Sequence, residues 1–173
     1  MAINTDHLRL HIVRPTLEYL NLWSQSAEDL LLGTAAQESA MGTFLVQLNG
    51  PALGIYQMEP KTWKDIYENY LNYREPFREK VDTLRLQFWT DPLNKDGLHQ
   101  ILGNLYYATA LARVHYLRVP EALPIKGENL EGEAHADYIL SLARYWKRYY
   151  NTPLGRGTEE EFIDNYKRYV LND

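Results

Sequence analysis

Residues 33–62 read GTAAQESAMGTFLVQLNGPALGIYQMEPKT, and the places where this stretch breaks decide the fold. Just upstream, Ser26-x-x-Asp29 has the form of an N-cap with an acid in the first turn, which opens a helix running to about Met41. Leu30, Leu31, Ala35 and Ala36 take its inward face, and Gly42 is its stop. Glu38 then lies in the last turn, where the negative end of the helix dipole disfavours an ionised carboxylate. Asn49-Gly50-Pro51 is a turn signal, so Phe44 to Gly54 holds either a small hairpin or an irregular loop. After Pro60, Trp63, Ile66, Tyr67 and Tyr70 recur at helical spacing.

Outward from this core, Asp82 to Phe88 reads as a short helix, and Asp91-Pro92 and Lys95-Asp96-Gly97 interrupt the chain. From Leu98, the residues Ile101, Leu102, Leu105, Ala108, Ala112 and Tyr116 form one long amphipathic stripe that stops before Pro120. Pro120 to Gly132 is a loop, and His135 to Tyr150 reads as a helix. Thr158-Glu159-Glu160-Glu161 is a capping-box pattern that opens a last helix to about Val170. The Val/Ile/Thr alternation of a large sheet is missing. The expectation is a mainly α chain: a single helical domain over residues 1–173, with six or so helices and little or no β-sheet.

Composition narrows the chemistry. The net charge of −5 argues against a nucleic-acid partner, which calls for a basic footprint, and against general attraction to an anionic cell wall. With no Cys, thiol catalysis and thiolate metal sites are excluded. The five His residues are scattered, and His7 and His11, though spaced i, i+4, have no carboxylate pattern beside them, so no metal and no cofactor is expected. The 14 Tyr and 4 Trp suit either sugar stacking or half-buried packing, with packing the simpler reading for most of them. The basic cluster Arg144, Lys147, Arg148 reads as a solvated face. No apolar run approaches about 18 residues, so no membrane span is expected, and the N-terminus carries no secretory pattern.

Four pieces of the chain, in order, resemble the lytic transglycosylases of the lysozyme-like superfamily. Glu38-Ser39 is similar to the catalytic Glu and its following Ser; Gly54-Ile55-Tyr56-Gln57 with Pro60 and Thr62 to the Gly-Leu-Met-Gln motif and its Pro-x-Thr; Tyr106-Tyr107-Ala108 through Tyr116-Leu117 to the third-motif helix. Tyr150-Asn151 with Gly155 and Gly157 is similar to the Tyr-Asn-Ala-Gly-x-Gly motif, whose Tyr contacts the catalytic Glu. Tyr56 stands where Met is usual, Glu59 where an apolar residue is commoner, and Thr152-Pro153-Leu154 lengthens the last loop.

The resemblance implies a lysozyme-like fold that cuts the peptidoglycan glycan strand between MurNAc and GlcNAc. Glu38 is the acid/base, and Ser39, Tyr56, Gln57, Tyr150 and Asn151 bind substrate or support the site. Holding a Glu at about 6.3 rather than about 4.3 takes about 2.7 kcal/mol of differential destabilisation of the anion, which an apolar pocket from Ala35, Ala36, Met41 and Ile55-Tyr56 supplies. In this family one Glu acts first as acid and then as base on the muramyl 6-hydroxyl, closing a 1,6-anhydro ring without a second carboxylate. Glu59 is read two ways: a second catalytic carboxylate that shifts the outcome to hydrolysis, or a surface residue at a helix N-terminus. A wall enzyme without an export address points to a phage product with lysis-system or virion partners, made in the cytoplasm and acting at the wall or in the virion. The rival reading is a non-catalytic virion structural or glycan-binding protein that keeps the fold.

Overall fold

The computed structural model describes residues 2–85, 97–151 and 155–171. Among these residues there are seven helices and no strand. The β content is two isolated antiparallel bridges, Val46 to Leu53 and Leu53 to Met58, which give the segment between the second and third helices the shape of a small folded loop. That segment turns Phe44, Leu45, Val46 and Leu48 outward. No helix among the described residues is long and apolar enough to cross a membrane.

Helix α1 was not expected from the sequence. It consists of Thr5–Leu8, a wide π-turn Arg9–Val13, and Arg14–Tyr19. Pro15 accounts for the wide turn: its ring crowds the carbonyl of the preceding turn and it donates no N–H, and opening the turn relieves both. Leu8, Val13 and Leu17 still reach the core.

Helix α2, Gln25–Ser39, starts two residues earlier than its sequence signal, because Ser24 and not Ser26 is the N-cap, its side chain accepting from Ala27 N–H at 3.1 Å. Ser26 and Asp29 are buried inside the helix. Asp29 takes Arg9, Lys126 and Tyr138, while its neighbour Glu28 takes Arg9, Arg14 and Trp23. Burial alone would raise the Glu28 carboxyl, but the hydrogen bonds from Arg14, Trp23 and Arg9 outweigh it and hold the group at about 2. This ionic knot ties α1, Lys126 and Tyr138 to α2.

Helix α3, Pro60–Asn69, begins where Pro60 suggests. The next helix, α4, is Glu75–Thr83 rather than Asp82 to Phe88; Asp82 and Thr83 close it, and residues 86–88, like Asp91-Pro92 and Lys95-Asp96, lie outside the described residues. The long stripe from Leu98 divides into a 3-10 turn, Leu98–Leu102, and helix α5, Leu105–Leu117. The break falls at Gly103-Asn104, where the Asn104 side chain caps α5 by accepting from Tyr107 N–H at 3.1 Å. Helix α5 is buried on most of its surface and packs against α1, α2 and α3.

Helix α6, Gly132–Trp146, runs into a second π-turn, Lys147–Asn151. Helix α7, Glu159–Tyr166, ends in a third, Lys167–Leu171. The capping box at Thr158 is formed as the sequence predicts, with the Thr158 and Glu161 side chains each accepting the other's backbone N–H at 3.1 and 2.9 Å. Helices α6 and α7 pack on α2, and the apolar residues of all these elements join one core.

Candidate active site

The end of α2 sets the site. Its last helical residue is Ser39, two short of the expected Met41, and Ala40, Met41 and Gly42 all take positive φ (48°, 55° and 78°). Two consecutive non-glycine residues in the left-handed region store strain, which is held here by packing and hydrogen bonds. The Ala40 and Met41 amides return to the Ala36 and Ala35 carbonyls at 3.1 Å, and Met41 is fully buried. Glu38, in the final turn, is directed into a cleft of about 560 Å3.

Five of the seven residues singled out in the sequence line that cleft: Glu38, Gln57, Glu59, Tyr150 and Asn151. Ser39 and Tyr56 do not. Ser39 is buried; its hydroxyl donates to Ile55 O at 2.7 Å and accepts from Gly42 N–H at 2.8 Å, so it pins the loop to the helix end instead of meeting a ligand. The Tyr56 ring points into the core, with its hydroxyl 3.1 Å from Thr109 Oγ1. Its contribution to the cleft is its backbone carbonyl, which accepts from the Tyr150 hydroxyl at 2.7 Å. Ser39 and Tyr150 thus hold two successive carbonyls, Ile55 and Tyr56.

Tyr150 therefore does not donate to Glu38. That partner is Trp146, the last residue of α6 and four positions before Tyr150, whose Nε1 donates to Glu38 Oε1 at 2.9 Å. Burial pushes the Glu38 carboxyl up to about 7; the indole hydrogen bond, which favours the anion, only partly offsets it. The Glu38 anion in turn helps raise the Tyr150 phenol, although burial is the main cause.

Gln57 (φ 44°) is fixed by its own side chain, Nε2 donating to Gly54 O at 2.8 Å and Phe44 O at 3.2 Å. Gly54 has φ +76°, and a Cβ there would lie 2.3 Å from Ile101 O, so only glycine fits. Glu59 sits at the N-cap of α3, makes no capping hydrogen bond, and pairs with Lys61 at 2.9 Å.

Sequence reading missed His115 and misread Lys147. His115 lines the cleft with its ring edge-on to Tyr150, centroids 4.7 Å apart. Burial, then the nearby Arg118 charge, lowers it to about 4, so it is neutral at pH 7. Arg118 Nη2 is 2.6 Å from His115 Nδ1, and Arg118 is itself paired with Asp65. Lys147 is no solvated cation: its Nζ donates to Asn151 Oδ1 at 2.9 Å and to the Gly155 and Gly157 carbonyls at 2.7 Å each. Gly157 lies against Trp146, where a Cβ would come within 2.7 Å of the indole Cη2. Of the basic cluster, Arg144 does face solvent and reaches Glu159 at 3.6 Å. A signal for Trp146 existed in its i, i+4 spacing from Tyr150; none existed for Lys147, because its acceptors are loop carbonyls.

The arrangement offers one carboxylic acid poised near neutrality in a polar-rimmed cleft, with amide side chains of Gln37, Gln47, Gln57 and Asn151 around it. Among the described residues no group of three or more His, Asp or Glu side chains is placed to hold a metal ion. No protein-family model matches the chain, and neither do curated proteins or solved structures.

Proposed function

We propose that the protein cleaves the glycan strand of peptidoglycan with Glu38 as its single acid/base. The observation that carries this reading is the Glu38 carboxyl, raised to about 7 by burial while facing a cleft it shares with Gln57, Tyr150 and Asn151. A group near 7 gives up a proton to a leaving glycosidic oxygen and takes one back at almost equal cost, as acid-then-base action requires. Because the indole N–H occupies Oε1 and only donates, Oε2 is the oxygen that carries the acid proton. The amide side chains suit the acetamido and hydroxyl groups of amino sugars.

Glu59 pairs with Lys61 at the start of α3, and the reading gives it no catalytic step, so the product expected is the ring-closed anhydro sugar. The test is incubation of the purified protein with sacculi and mass analysis of the products. Anhydromuramyl ends that vanish in Glu38→Gln support the reading; undiminished turnover by that variant sinks it. The engagement of the Tyr150 hydroxyl by Tyr56 O, away from Glu38, favours the rival glycan-binding reading, in which sacculi are bound and never cut.

A further inference from the structure

Arg156 is the charged residue of the cleft that forms no ion pair among the described residues. It lines the cleft, is exposed, and makes no hydrogen bond or ion pair among the described residues. Glu59 and Lys61 pair with each other, the Glu38 carboxyl is bonded to the Trp146 indole, and His115 is uncharged. Among the described residues the cleft therefore presents Arg156 as a cation with no ion-pair partner, in a protein of net charge −5.

The loop that presents Arg156 is built for that. The carbonyls on either side of it, Gly155 and Gly157, are both drawn inward by the Lys147 ammonium at 2.7 Å. The backbone on either side of Arg156 is thus anchored, while its own side chain is exposed. Both flanking residues must be glycine, because a Cβ at 155 would lie 2.2 Å from Asn151 Oδ1 and one at 157 would lie 2.7 Å from Trp146. A lysine, two glycines and the Glu38-bearing tryptophan thus cooperate to hold one free guanidinium at the cleft.

We infer that Arg156 is a specificity residue that recognises a carboxylate of the peptide stem on the bound glycan strand. The inference rests on the peptidoglycan reading above. The sugars themselves offer a guanidinium only neutral groups, whereas stem carboxylates match its planar fork and lie off the strand, where an exposed rim residue reaches.

The test crosses two changes: Arg156→Gln, and sacculi whose stem carboxyls have been converted to methylamides with carbodiimide. All sacculi are first stripped of teichoic acid with hydrofluoric acid. Sedimentation binding and turnover are both measured. We expect each change alone to weaken binding about three- to tenfold, as for a partly exposed charge pair, and the second change to add little once the first is made. Arg156→Lys should recover part of the loss. Independent, multiplying losses would overturn the assignment, as would unchanged binding by Arg156→Gln on these phosphate-free sacculi. Coupled binding without turnover by the wild type retains Arg156 and removes the catalytic reading; turnover without coupling does the reverse.

Discussion

The indole of Trp146 donates to Oε1 of Glu38 at 2.9 Å, joining the fully buried end of α6 to a carboxyl held near neutrality. This bond fixes the rotamer of the acid, and it lowers a proton affinity that burial raises.

The first expected outcome concerns stability. The Glu38 carboxyl moves from 4.5 to about 7 on folding. Below 4.5 both states are protonated and the group is neutral to stability; between 4.5 and about 7 the unfolded chain ionises first and the fold loses free energy, a loss that persists at higher pH. Glu38→Gln keeps an acceptor for Trp146 and removes this penalty. Its stability in urea should equal the wild type's near pH 4 and exceed it by about 1–3 kcal/mol at pH 8, an allowance that discounts for the side chain's partial exposure.

Activity should follow the protonated form of the same group. With Glu38 as the acid, kcat/KM on soluble muropeptide strands should fall as pH rises, with a midpoint near 7. A profile flat from pH 5 to 9 would assign proton donation to another group.

Trp146→Phe deletes the bond that favours the anion. The alkaline limb of the pH profile should therefore move to higher pH, the opposite of what general loosening of the pocket would do by admitting water. The variant should also unfold about 1–3 kcal/mol more easily, since a fully buried indole is replaced by a smaller ring.

Lys147→Met retains the aliphatic stem and removes the donor shared by Asn151, Gly155 and Gly157. Faster amide hydrogen exchange confined to residues 155–157, with a stability loss of about 1–3 kcal/mol, is the expected signature. If Lys147 were a solvated cation, neither would change.

Gly54→Ala places a methyl 2.3 Å from Ile101 O at φ +76°. The expected cost is about 2 kcal/mol or more, read from the urea midpoint, with activity lost because the carbonyl that orients Gln57 shifts.

The helical architecture was legible because period and caps agree: Pro60 and the Thr158 capping box stand where the sequence puts them. Helix α1 was not, because Pro15 disguises a helix that survives by widening. Glu38 was legible as a helix-end carboxyl because helical spacing fixes its direction. For Ser39 and Tyr56 the sequence left substrate binding and support of the site open, because spacing in a turn or loop does not say which way a side chain points. Ser39 braces the loop by donating to Ile55 O, and Tyr56 turns its ring into the core while its carbonyl receives the Tyr150 hydroxyl. Lys147 looked like one of three surface bases, and only the path of residues 155–157 reveals its acceptors.

The π-turn Lys147–Asn151 has a consequence for the width of the cleft wall. An ordinary helix advances by about 100° per residue, so five residues on from Trp146 it would carry Asn151 about 140° around from the indole. The π-turn closes an i→i+5 ring and brings residues five apart back toward one side. Trp146, Tyr150 and Asn151 therefore all face the cleft, a breadth of wall that a regular helix end would not offer.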